Sequence, residues 1–144
     1  MCEEVEVTMD DVTRQGVARV MDVLLPGTEV LPRATAVDAQ GELLDRVLRA
    51  DPKLEPIVRR CGEQAAQTSE ISLADVEQWM GEDTERLVFA LHAAYYMSKD
   101  VRQALNYPGQ GRVPVAEATP DQLVSPELIA PVIERGPIYV PTPE

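Results

Sequence analysis

The placement of proline divides this chain of 144 residues into two parts of different character. Eight of the twelve prolines lie in the last 37 residues, and only four lie in the part before them. Proline fixes its own φ and lacks a backbone N–H donor, so a segment with a proline every few residues cannot form long helices or central strands. We therefore predict a regular domain over residues 1–106 and a proline-rich C-terminal strap over residues 107–144.

The first part has the pattern of consecutive amphipathic helices. Five predicted helix starts share a side chain that can accept from a free N–H of the first turn: Thr8, Thr35, Asp51, Ser72 and Ser98. Residues 83–97 form the most apolar predicted helix, and no window alternates with period two. We predict an all-α fold, a small bundle of five or six helices. The strap is predicted to be mostly extended, with one short helix that Ser125 opens and Gly136 ends.

The strap carries more apolar residues than a solvated linker would. Its prolines leave little backbone entropy to lose, so an extended strap docks at a lower cost than a flexible chain. It therefore packs on its own bundle or on a partner, and the sequence leaves both open.

The charge and hydropathy of the chain exclude several classes of partner. The 13 basic and 25 acidic residues give a net charge of −12, so nucleic acid is not expected as a partner. No stretch approaches the ~18–20 apolar residues of a membrane span. The N-terminus is acidic up to Arg14, without a secretory or twin-arginine signal, which favours the cytoplasm. The periplasm would be expected only if a leader had been removed.

The residues that usually carry enzymatic chemistry are sparse. His92 is the one histidine and lies within a predicted helix, and no CxxC or HExxH pair occurs. The two cysteines make no disulfide framework, and Cys61 falls on an apolar stripe. We expect no catalytic residue, metal or cofactor in this chain. The remaining enzyme hypothesis uses His92 with its neighbouring tyrosines.

Tyrosine and arginine cluster near the end of the predicted bundle and again near the end of the strap. Both residue types are over-represented as anchors of protein interfaces. The alternative is that the tyrosines only plug the end of the bundle. The candidate interface residues are Tyr95, Tyr96, Arg102, Tyr107, Pro108, Arg135, Pro137, Ile138 and Tyr139.

Several short segments, taken in order, carry a family resemblance. They are Leu24-Leu25-Pro26-Gly27, Tyr95-Tyr96-Met97-Ser98, Val101 to Ala104-Leu105, Tyr107-Pro108-Gly109-Gln110, and Pro126 to Arg135-Gly136-Pro137-Ile138-Tyr139. Together they resemble the gluconate 2-dehydrogenase subunit 3 family, most distinctively over residues 92–139.

The resemblance implies a small helical subunit without a cofactor of its own. Its partner would be a large FAD-binding oxidoreductase of the glucose–methanol–choline (GMC) type that oxidises a sugar, polyol or other alcohol. Electrons would pass on to an acceptor protein such as a cytochrome. Many members carry a twin-arginine signal, from which this chain departs. The alternative function is a stand-alone all-α adaptor module that binds other proteins without an enzyme partner.

Overall fold

The computed structural model describes residues 9–109 and 125–138, and these ranges contain helices and no strand. The chain divides into two units after Gly109. The first unit contains α1 (Asp11–Leu24), α2 (Leu44–Ala50), α3 (Glu55–Ala66), α4 (Leu73–Met80), α5 (Thr84–Tyr96) and α6 (Lys99–Ala104). The described part of the second unit contains α7 (Pro126–Arg135). The predicted all-α class is confirmed.

Side-chain caps mark the starts of α1, α4 and α7 and of the turn before α3, whereas the predicted cap Ser98 precedes α6 without a side-chain hydrogen bond to it. Asp51 accepts from the N–H of Lys53 and is followed by Pro52 in a short 3₁₀ turn that leads into α3. Ser72 and Asp75 form a reciprocal capping box at the start of α4. The start of α1 differs from the prediction, because Asp10 caps it by accepting from the N–H of Thr13 at 2.9 Å. The predicted Thr8 lies outside the described residues.

The segment between α1 and α2 departs most from the sequence prediction. A helix start at Thr35 is wrong: residues Ala34–Val37 form a 3₁₀ turn, and a π-helical turn covers Ala39–Leu43 before α2 begins. The physical reason is that Asp22 of α1 accepts from both the N–H and the hydroxyl of Thr35, at 3.0 and 2.7 Å. These bonds hold Thr35 against α1, within the 3₁₀ turn instead of at the start of a helix.

The core of the first unit is built on the crossing of α1 and α3. Gly16 and Gly62 face each other there, and a Cβ at Gly16 would lie 2.0 Å from the carbonyl oxygen of Gly62. The two helix backbones therefore touch at a point where no side chain fits. Arg19 of α1 then donates to the carbonyl of Ala65 in the last turn of α3 and to that of Ser69 in the loop that follows.

The predicted apolar stripe of α3 is confirmed, because all five of its residues are buried: Leu54, Ile57, Val58, Cys61 and Ala65. Burial raises the pKa of the Cys61 thiol to about 12, so the group stays protonated and unreactive at neutral pH. Cys61 is a small core residue, as its position in the stripe predicts.

The second unit is described by α7 and the residues next to it. Ser125 caps α7 by accepting from the N–H of Leu128, and Gly136 ends it with φ +68°, as the sequence predicts. None of the residues of α7 is buried. In the described ranges, no helix has both the length and the apolar character that crossing a bilayer requires.

Candidate protein interface

Two segments that are distant in sequence border one cleft at an end of the first unit. The residues from Leu24 to Thr28, together with Leu31, form one side, and Tyr95 and Tyr96 of α5 form the other. The cleft has a volume of about 200 Å³. Gly27 has φ +84°, and a Cβ there would lie 2.8 Å from the backbone nitrogen of Arg33, so this turn requires glycine.

Tyr95 belongs to the interior of the first unit. Its side chain is 2 % exposed, and its hydroxyl donates to the carbonyl oxygen of Pro32 at 2.7 Å. Burial raises the pKa of this hydroxyl, so it remains a donor at neutral pH. Tyr95 thus attaches the loop after α1 to α5, which is the plug role that the sequence left open for the tyrosines.

We expect Tyr95→Phe to lower the free energy of unfolding by about 1–2 kcal/mol, because it leaves the Pro32 carbonyl without this donor. Tyr96→Phe is the matched control, since no hydrogen bond of the Tyr96 hydroxyl occurs in the described structure, and it should change stability by less than about 0.5 kcal/mol. Urea unfolding followed by circular dichroism measures both. Equal effects of the two substitutions would contradict the assigned role.

Tyr96, in contrast to Tyr95, has a side chain that is accessible to another molecule. It is 46 % exposed, and its ring lies edge-on to that of Tyr95 with centroids 5.2 Å apart. Beyond it, Arg102, Tyr107 and Pro108 are exposed as well. Tyr107 is held at the end of α6 by its N–H, which donates to the carbonyl of Arg102 at 2.8 Å. The predicted interface residues of the first unit, other than Tyr95, are therefore accessible.

The predicted interface residues of the second unit follow α7 or end it. Arg135, Pro137 and Ile138 are exposed, and Tyr139 lies outside the described residues. The helix itself exposes four of the apolar side chains that distinguish the strap from a solvated linker: Leu128, Ile129, Val132 and Ile133. Their spacing places them along one side of α7.

The contacts of His92 are with its own helix and with a neighbouring tyrosine ring. Its Nδ1 lies 2.9 Å from the carbonyl oxygen of Val88 one turn earlier, and its ring centroid lies 6.3 Å from that of Tyr96. No carboxylate bonds to His92 in the described part of the chain, so the arrangement lacks the group that would orient a general base. Residues 9–109 and 125–138 also contain no cluster of three metal-ligating side chains.

A second apolar surface was missed by sequence reasoning. Between α2 and α5 runs a groove of about 580 Å³, which we call the α2–α5 groove; its lining residues are Arg46, Val47, Ala50, Asp51, Leu54, Phe89, Ala93 and Met97. Phe89, the only phenylalanine of the chain, is 66 % exposed there. The sequence does contain one indication of this surface. Helix α5 is apolar on almost every side, which is typical of a helix that other parts of a protein cover all round.

Comparisons of the chain with models of protein families, with curated proteins and with solved structures give no match.

Proposed function

We propose that this chain is the non-catalytic small subunit of a heteromeric FAD-dependent oxidoreductase of the GMC type. The large subunit would bind FAD, oxidise a sugar, polyol or other alcohol, and pass electrons to an acceptor such as a cytochrome. The small subunit would stabilise the large one by binding it. The resemblance to the gluconate 2-dehydrogenase subunit 3 family remains the source of this assignment.

One observation carries the proposal furthest. The segments Leu24–Gly27 and Tyr95–Tyr96, which the resemblance rests on, lie about 70 residues apart in sequence and border the same cleft. Two segments of one family pattern that serve the same function are expected to lie close together in the folded chain. Here they combine a buried attachment at Tyr95 with an exposed aromatic surface at Tyr96.

The exposed apolar and aromatic residues from Tyr96 of the cleft to Tyr107 after α6 are of the kinds that anchor interfaces. Tyr96 and Tyr107 are about half exposed, and Leu105 between them in sequence is 47 % exposed. Tyrosine presents a large apolar ring that loses little side-chain entropy on binding, and its hydroxyl can still bond at the rim. These side chains support a role in protein binding.

Co-expression with a GMC-type flavoprotein encoded beside this chain's gene tests the proposal. We expect the two proteins to elute together in size-exclusion chromatography, with flavin absorbance in the shared peak. The large subunit expressed alone should be less abundant or less stable, because a partner that binds the folded state shifts the folding equilibrium towards it. Separate elution, together with an unchanged large subunit, would refute the assignment.

Within that complex, Tyr96→Ala should weaken binding by about 30-fold, the effect of losing one central aromatic anchor. Leu73→Ala is the matched control: Leu73 is 52 % exposed, and it lies on α4, outside the cleft. Titration of labelled small subunit with the flavoprotein measures both affinities. An unchanged affinity for Tyr96→Ala would remove the cleft from the proposed interface.

The stand-alone adaptor is the second candidate, and the independent core of the first unit favours it. In the part of the chain that the structure describes, all the buried apolar residues lie between Met9 and Val101. A domain with its own core does not require a large subunit in order to fold. In that case co-expression would leave the flavoprotein unaffected, while the exposed tyrosines would still bind another protein.

A further inference from the structure

The α2–α5 groove has the dimensions and the lining of a protein-binding surface. Its floor contains the buried side chains of Val47 and Leu54, and Ala50 and Ala93 leave room for close approach. One row of side chains runs for about two turns along α5 and its C-cap, because every fourth position there contributes to it: Phe89, Ala93 and Met97. Ala93 and Met97 are partly buried against the core, whereas Phe89 remains 66 % exposed.

Two charged side chains on one wall of the groove have no ion-pair partner in the described structure. Arg46 lies on α2 and Asp51 follows its last residue, about 7 Å further along the axis. The ion pairs of the described residues use other side chains, and Asp51 Oδ1 accepts only from the backbone N–H of Lys53, which leaves the charge of the carboxylate without a cation. By contrast, Arg49 of the same helix pairs with Glu42.

One cation and one anion on a single apolar surface are complementary to the same surface rotated by 180°. Around a two-fold axis, Arg46 of each copy faces Asp51 of the other, so the two ion pairs form reciprocally. A different partner would satisfy both charges only if it carried the opposite pair at the same spacing. The charge pattern therefore favours a second copy of this chain as the occupant.

The shape of the groove agrees with this pattern. Phe89 projects from the groove that it lines, and a cavity of about 150 Å³ already accommodates benzene. The groove is several times larger, at about 580 Å³, so it can receive an aromatic ring from another molecule. Each copy thus carries both a projecting ring and a space for one.

We propose that the α2–α5 groove is a two-fold symmetric dimer interface, in which Phe89 of each copy enters the groove of the other and Arg46 pairs with the second copy's Asp51. This inference goes beyond the proposed function and does not depend on it. It uses the face between α2 and α5, and it can be tested with the full chain alone.

Sedimentation velocity over a range of concentrations of the full chain gives the first test. We expect a monomer–dimer equilibrium in the micromolar range. Phe89→Ala should weaken the dimer by about 100-fold or more, because each dimer loses two aromatic anchors. Since Phe89 is exposed, this substitution should leave the melting temperature of dilute monomer unchanged.

Charge reversal gives the more specific test. Arg46→Glu and Asp51→Lys should each weaken the dimer by about tenfold or more, because each places like charges opposite one another. The double variant should return to within about threefold of the original dimer, since the pair is restored in reverse. Lys99→Glu changes the charge equally at an exposed position outside the groove and should have no effect.

Each other result overturns the proposal. A full chain that stays monomeric at every concentration has no such interface, and a dimer indifferent to all three positions uses another surface. A monomer whose melting temperature falls with Phe89→Ala has the groove covered by its own chain. If Asp51→Lys impairs folding through loss of the cap, Arg46→Glu and Phe89→Ala decide the question without it.

Discussion

Gly16→Ala is expected to lower the free energy of unfolding by about 3 kcal/mol or more. The added Cβ would lie 2.0 Å from the carbonyl oxygen of Gly62 and 3.1 Å from the backbone nitrogen of Ala66. These obstacles are backbone atoms of α3, so no side-chain rotation can relieve the overlap and the two helices must separate. The gain in helix propensity from glycine to alanine, about 1 kcal/mol, is too small to compensate.

Gln15→Ala is the matched control for this prediction. Gln15 is the exposed neighbour of Gly16 on α1, so its replacement should change stability by less than about 0.5 kcal/mol. Urea unfolding of both variants, followed by circular dichroism, gives the difference. A Gly16→Ala protein as stable as the original would mean that α1 and α3 do not cross where the structure places them.

Ending the chain after Asn106 is expected to leave a folded first unit that no longer co-purifies with the large subunit. Within residues 9–109 and 125–138, the buried core residues lie at or before Val101, so truncation keeps all of them together with α1 to α6. The removed part contains the exposed apolar side of α7 and three of the candidate interface residues that the sequence predicts: Tyr107, Arg135 and Tyr139. Loss of several anchors should weaken binding by more than about 100-fold.

Two measurements on the truncated chain separate the alternatives. Its melting transition is recorded alone, and its capture by the large subunit is measured afterwards. A substantially lower melting temperature would show that the strap packs on its own bundle instead of on a partner. As a control that preserves chain length, Val132→Asp in the full chain should reproduce the loss of binding while leaving the melting transition in place. Normal melting combined with full affinity would refute both roles for the strap.

The fold was predictable where local chemistry decides it. Asp51, Ser72 and Ser125 are followed by helices in the structure because their side chains accept from backbone N–H groups within three residues. Thr35 shows where prediction from local sequence fails. Its groups bond to Asp22, 13 residues earlier, and such a long-range partner leaves no signature in the local pattern. The crossing at Gly16 and Gly62 was likewise invisible, since it depends on how two helices meet.

The candidate site was predictable to a smaller degree. Residue type alone marked Tyr95 and Tyr96 together, yet a helix that turns by about 100° per residue points neighbours in different directions. Only the packing shows that Tyr95 faces inward and Tyr96 outward. The α2–α5 groove was missed for a related reason. Phe89 lies among apolar neighbours on α5, and a helical pattern cannot show which side has been left uncovered.

The hydrogen bonds of α1 have a consequence for synthesis of the chain. Arg14 reaches Gln40 and Asp45, and Arg19 reaches Ala65 and Ser69, up to 50 residues later. At about 5–20 residues per second, a ribosome needs several seconds to make that intervening length. Helix α1 therefore waits for these partners during translation, and the bundle can close around it only after α5 and Val101, which supply further core residues, have been made.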